Sequence, residues 1–181
     1  MSYIQQEKAF DQAVVFLAVS ASKRAELPVA SILHSIRVGL SLQQDGHAFE
    51  VILGGLLHDV VEDTEVTIKD VQSQFGPRVA ELVEAMTYNQ ELKSQDQSRD
   101  SMDRCKQLGK DALTIKAADL LDNLRFYLSE ANPAKFNQLV TSLKYFLDAS
   151  EDELGSESSW IEIDQHLKNI LSIMEKTNTN P

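Results

Sequence analysis

Four positions in this chain place imidazole or carboxylate groups among apolar neighbours: His34 near Ile32, Leu33 and Ile36, the adjacent pair His58-Asp59 after Leu56 and Leu57, and Asp119 among Ala117, Ala118, Leu120 and Leu121. An ionised carboxylate in such company needs a partner, because burying an unpaired charge is very costly. A divalent cation would satisfy two imidazoles and two carboxylates together. This N2O2 set is of borderline hardness and suits Mn2+, Fe2+ or Zn2+, with positions left for water. Taken singly, each residue has a plainer explanation: an isolated helical histidine is more often a core or surface residue, and a lone Asp119 can pair with Lys116. The combination is what argues for a metal centre.

Ligands so far apart along the chain must be brought together by the fold, and nearly every segment reads as helix, because apolar residues recur at three and four. A first helix covers about Tyr3 to Val19, and a second runs from Pro28, which suits a first-turn position, to Gln44, with Gly46 placed to end it. The third, His47 to about Val60, contains Val51-Ile52-Leu53-Gly54-Gly55-Leu56-Leu57, apolar on all sides and therefore central; its paired glycines imply that another backbone packs closely. Thr67 with Asp70 resembles a capping box, Gly76 closes that short helix, and Pro77 starts the next, through Met86. Residues 89–100 are polar and aperiodic, hence a loop, followed by helices at about Ser101 to Leu108, Asp111 to Ser129 and Pro133 to Leu147. The sequence thus predicts an all-α single domain over residues 1–149, an acidic connector at 150–158, a C-terminal helix at 159–176 packing on the same domain, and a disordered tail at 177–181.

Composition narrows the partners. With 181 residues, 43% of them hydrophobic, the chain can bury a core without disulfides, and its single cysteine, Cys105, rules out an intramolecular disulfide and a Cys-based zinc site. A reducing, cytoplasmic setting is the simplest expectation. The net charge of −11, with no basic cluster longer than Lys23-Arg24, disfavours bulk nucleic acid and anionic membranes. A small polyphosphate is still compatible, provided a metal and a few local cations outweigh the general field. The apolar run Ala13 to Ala21 follows Glu7, Lys8 and Asp11 and reads as a buried helix rather than a signal peptide, and nothing approaches the roughly 20 apolar residues of a membrane span. Oligomeric state has no signature here.

The string Leu56-Leu57-His58-Asp59-Val60-Val61-Glu62-Asp63-Thr64 closely resembles the signature of the hydrolase domain in the RelA/SpoT family of alarmone enzymes, members of the HD superfamily, and of their small single-domain relatives. The likeness extends from about Lys23 to Leu128, through Thr67, Phe75-Gly76, Val79 to Val83, Met86-Thr87 and the run from Ile115 to Arg125. It implies an HD-type helical bundle and metal-dependent removal of the 3′-pyrophosphate from guanosine tetra- or pentaphosphate. It also implies that His34, His58, Asp59 and Asp119 bind one Mn2+, that Glu62 and Asp63 orient or deprotonate the attacking water, and that Asn123 lines the nucleotide site. The spacing agrees: Glu62 lies four residues after His58 and Asp63 four after Asp59, so a continuing helix sets each acid beyond a ligand on the same face. No histidine falls between Asp59 and Asp119, whereas two-metal HD enzymes supply extra histidines there, so a single metal is expected.

Some positions depart from the family pattern. Lys23-Arg24 stands where the family has an Arg-Lys pair, but no tyrosine follows, the interval from Pro28 to His34 is longer, and Ser35 replaces a proline. Leu121-Asp122-Asn123 replaces part of Arg-Leu-His-Asn. The metal set is unaffected; the nucleotide specificity is the part these changes bear on. Lys23, Arg24, Asn123 and Arg125 are the candidates for holding the nucleotide. Two alternatives stay open: an HD-type nucleotide phosphatase or deoxynucleotide triphosphohydrolase with the same metal set, and a non-enzymatic nucleotide sensor.

Overall fold

In the computed structural model, which describes residues 3–129 and 133–178, the elements are α1 (Tyr3–Ser22), α2 (Val29–Gln44), α3 (Phe49–Leu57), α4 (Val60–Asp63), α5 (Ile68–Phe75), α6 (Pro77–Met86), α7 (Ser94–Leu108), α8 (Lys110–Ser129), α9 (Pro133–Leu154) and α10 (Ser158–Asn178). There is no strand among the described residues. The chain is an all-α single domain. Local chemistry sets the starts: Pro28 precedes α2, Pro77 opens α6, and the Thr67 hydroxyl accepts from Asp70 N–H while the Asp70 carboxylate accepts from Thr67 N–H, a complete capping box.

Helix α3 is the centre. It packs against α1, α2, α6 and α8, and every residue from Val51 to Leu57 is buried. Its two glycines make this possible. A Cβ on Gly54 would stand 2.8 Å from Ile115 Cδ1 of α8 and 3.1 Å from Leu82 Cβ of α6, and one on Gly55 would overlap Leu42 Cδ1 of α2. Neighbouring helices therefore close on α3 from both sides, as the paired glycines predict. Because α2, α3 and α8 all touch one another, side chains at the end of α3 meet those from the other two.

Three elements differ from the sequence-based expectation. The third helix breaks at His58-Asp59: Asp59 has φ −97° and ψ −3°, and a separate single turn, α4, follows. The stretch 94–100 is not loop but the first half of α7. It has no apolar stripe of its own, yet its later turns anchor it, with Met102 and Cys105 buried and Ser101 Oγ donating to the carbonyls of Ala85 and Met86. Arg104 also bonds Asp100 one turn away. The acidic segment after Ser150 continues α9, since Leu154, 1% exposed, returns to the core beyond exposed Glu151, Asp152 and Glu153; the expected connector shrinks to the few residues from Gly155 to Glu157. Helix α10 packs on α8 and α9 through Ile163, Leu167 and Ile170. Residues 177 and 178 of the expected tail end α10, and 179–181 lie outside the described residues. No helix among the described residues is long and apolar enough to cross a membrane.

Candidate active site

The three central helices deliver the four sequence-predicted ligands to one corner. His34 comes from α2, His58 and Asp59 from the break between α3 and α4, and Asp119 from α8. His34 Nε2 lies 3.2 Å from Asp119 Oδ1 and 3.8 Å from Asp59 Oδ2. His58 Nε2 lies 3.1 Å from Asp59 Oδ2 and 3.7 Å from Asp119 Oδ1. The two rings meet edge to face, with centroids 5.1 Å apart.

Both rings are held from behind. His34 Nδ1 donates to Asp122 Oδ2 at 2.7 Å, and His58 Nδ1 donates to the Gly55 carbonyl at 2.8 Å. A carboxylate and a carbonyl only accept, so each Nδ1 carries the proton and each Nε2 is aimed at the corner, the arrangement that orients metal-binding histidines. Asp119 is braced in turn: Lys116 Nζ donates to its Oδ2 at 3.0 Å and Asn123 Nδ2 to its Oδ1 at 2.6 Å.

The electrostatics are those of acids in need of positive charge. Burial works against charged imidazoles, but hydrogen bonds to Asp119 and Asp122 and the charges of Asp119 and Asp59 outweigh it and hold His34 up at about 10. His58 is raised too, the Asp59 carboxylate overcoming burial. Asp119 is pushed well below the carboxylate range despite burial, chiefly by the Lys116 ammonium and His34. A divalent cation supplies the same charge without borrowed protons. The donor set fits one: ligand atoms of His34, His58 and Asp59 lie within 4.8 Å of one another, and Asp119 Oδ1 faces both imidazoles. Buried His58 Nε2 has no hydrogen bond of its own, since Asp59 is near it without the alignment of one.

Beside this corner is a cleft of about 340 Å3. Its lining includes Asp59, Glu62, Asp63, Tyr88, Lys116, Asn123 and Arg37. Glu62 Oε1 accepts the Tyr88 backbone N–H at 2.6 Å, yet burial together with the Asp59 charge lifts its carboxyl to about 7. Burial and Asp59 also raise Asp63.

Not every residue singled out from sequence reaches the cleft. Arg125 turns away and pairs with Glu162 of α10 at 2.8 Å, with 57% of its side chain exposed. Lys23 lines a separate groove with Gln74 and Phe75. Arg24 is near enough to Asp63 to favour its ionised form, but is not among the lining side chains. Arg37, Tyr88 and Asp122, which the sequence did not single out for a role, do line it. Two of them had a findable signal: Arg37 is three residues after His34 and Asp122 three after Asp119, so each shares a helix face with a ligand.

Comparison with known proteins agrees with the architecture. An HD domain family model matches residues 9–143, and the chain belongs to the HD domain family. It is similar to the guanosine-3′,5′-bis(diphosphate) 3′-pyrophosphohydrolase MESH1 of Drosophila melanogaster, 43% identical over 75 residues, a stretch covering 41% of this chain and 42% of that protein. It is 32% identical over 122 residues to the MESH1 of Xenopus tropicalis, covering 66% of this chain and 67% of that one. Among solved structures it resembles a metazoan ortholog of SpoT that hydrolyses ppGpp, with TM-score 0.77 and 25% identity over 89% of this chain and 94% of that one. The chain thus spans under half of the Drosophila relative in aligned length.

Proposed function

We propose that this chain is a divalent-metal-dependent phosphohydrolase that removes the 3′-pyrophosphate from guanosine tetra- or pentaphosphate. The observation that carries the reading is the convergence of His34, His58, Asp59 and Asp119, with buried His58 Nε2 left without a hydrogen bond. The names of the relatives support the substrate. In this reading the four side chains hold one cation, Mn2+ by the family resemblance, which supplies positive charge beside the phosphate and makes water more acidic.

The rest falls to the chain itself. A water oxygen bonds to the phosphorus attached to the 3′ oxygen, and that phosphorus–oxygen bond breaks. Pyrophosphate leaves with the hydroxyl of the water, and the 3′ oxygen collects a proton. Glu62, near neutral pKa and at the wall of the cleft, takes the proton of the attacking water. Asp63 orients that water, and Asn123 keeps Asp119 in place while lining the nucleotide side. Five carboxylates in the lining, Asp59, Glu62, Asp63, Asp119 and Asp122, favour a small substrate that arrives with a cation over bulk nucleic acid.

A product assay on Mn2+-loaded protein tests this. Guanosine tetraphosphate should yield pyrophosphate and the 5′-diphosphate nucleoside, while nucleoside monophosphates and deoxynucleoside triphosphates remain intact. Release of phosphate or triphosphate from those competitors, with the tetraphosphate untouched, would transfer the site to another phosphoester.

A further inference from the structure

The cleft has a charge problem that the metal corner alone does not solve. Its lining carries five carboxylates against one lysine and one arginine, Lys116 and Arg37, besides the His34 imidazole of the metal corner. Lys116 is buried, with its ammonium bonded to Asp119. Arg37 is different, with 48% of its side chain exposed. Its Nε and Nη2 donate to the two oxygens of Asp122 at 2.6 and 2.7 Å, which leaves Nη1 outside the pair. Of the other cations considered from sequence, Arg125 pairs with Glu162 and Lys23 lines another groove, while Arg24 acts on Asp63 without lining the cleft.

The register sets Arg37 about one turn beyond His34 on the same side of α2. His34 and Arg37 are three apart on α2, and Asp119 and Asp122 three apart on α8. The packed helices therefore carry two layers, His34 with Asp119 and then Arg37 with Asp122, displaced by about one turn, roughly 5 Å. A phosphate at the first layer brings its covalently linked neighbour to the second. A guanidinium fixed by a carboxylate on one edge presents its remaining N–H groups in a plane that matches phosphate oxygens.

We propose that Arg37, positioned by Asp122, receives the phosphate adjacent to the one attacked, and so makes this cleft selective for a diphosphate group over a single phosphate. This rests on the polyphosphate reading above and adds the residue that recognises the second phosphate.

The test is equilibrium binding of two probes, inorganic pyrophosphate and inorganic phosphate, to Mn2+-loaded protein at constant free Mn2+, with wild type, Arg37→Gln and Arg37→Lys. Loss of a charge-assisted hydrogen bond is worth about 1.5–3 kcal/mol, so Arg37→Gln should weaken pyrophosphate by roughly 10- to 100-fold. Phosphate affinity should stay within about twofold, bound Mn2+ should equal wild type, and Arg37→Lys should recover part of the loss. Equal pyrophosphate affinity in wild type and Arg37→Gln would overturn the proposal. So would a parallel loss of both probes with Mn2+, which would make Arg37 only a support for Asp122 and His34. If wild type binds pyrophosphate through Arg37 yet leaves guanosine tetraphosphate intact, the substrate reading falls and the role of Arg37 stands.

Discussion

His34 Nδ1 donates to Asp122 Oδ2 at 2.7 Å, which turns the opposite edge of the ring, with Nε2, toward Asp119 Oδ1 at 3.2 Å. The two candidate ligand histidines are thus fixed by unlike means. His58 leans on a backbone carbonyl within its own helix, whereas His34 depends on a side chain 88 residues away. Asp122 is itself held by Arg37 and ionised down to about 2, burial being outweighed by Arg37 and His34. One ring can therefore be released by mutation without touching any ligand.

Asp122→Ala should lower Mn2+ affinity by about 10- to 100-fold, the usual cost of removing a group that orients a metal-binding histidine. Helical content should be unchanged. Titration of the metal-free variant with Mn2+ measures it, and wild-type affinity would mean that His34 needs no support from Asp122.

Glu62→Gln should keep Mn2+ and lose roughly 10²- to 10⁴-fold in kcat, the range expected for general-base catalysis. Glu62 acts as a base when ionised. Its carboxyl, lifted to about 7 by burial and Asp59, ionises as pH rises. Activity of the wild type should therefore climb through an acid limb at or below about pH 7, since a bound cation favours the carboxylate. A kcat profile over pH 5 to 9 (roughly the window in which such groups titrate) should lose this limb in the Gln variant.

Lys116→Met removes the ammonium that offsets buried Asp119. Breaking one side of a buried pair costs about 3–5 kcal/mol. Urea unfolding should show a loss of that order without metal, and saturating Mn2+ should restore part of it, because a cation binds the folded state and meets the same carboxylate.

Gly54→Val should destabilise by about 1–3 kcal/mol through overpacking, since a Cβ there already meets Ile115 Cδ1 at 2.8 Å and Leu82 Cβ at 3.1 Å. Unfolding midpoints with and without Mn2+ should fall together, because the fault lies behind the metal corner rather than in it.

Much of this was legible in the sequence where types and local spacing carry the information. The apolar run of α3, its close-packing glycines, the capping box at Thr67 and the His58-Asp59 corner needed only neighbours in the chain. The break after Leu57 did not show, because hydrophobicity continues through Val60 and Val61. The first half of α7 was hidden because its turns are polar and the anchors that follow, Ser101 and Cys105, bond to α6 carbonyls that only packing brings near. The pairing of Arg37 with Asp122 was hidden for the same reason, the two being 85 residues apart until α2 and α8 meet, although each shares a helix face with a ligand. Arg125 illustrates the opposite error. It is close to Asn123 in sequence, but six residues past Asp119 on a helix of 3.6 residues per turn lies on another face, where Glu162 meets it.

The most direct test of the account is an anomalous difference map from crystals of the protein grown with Mn2+, collected at the manganese edge. It should show one peak per chain, ligated by His34 Nε2, His58 Nε2, Asp59 and Asp119, and no such peak in Asp59→Ala crystals. A map with no peak among these four side chains, or with the ion bound only elsewhere, would contradict it.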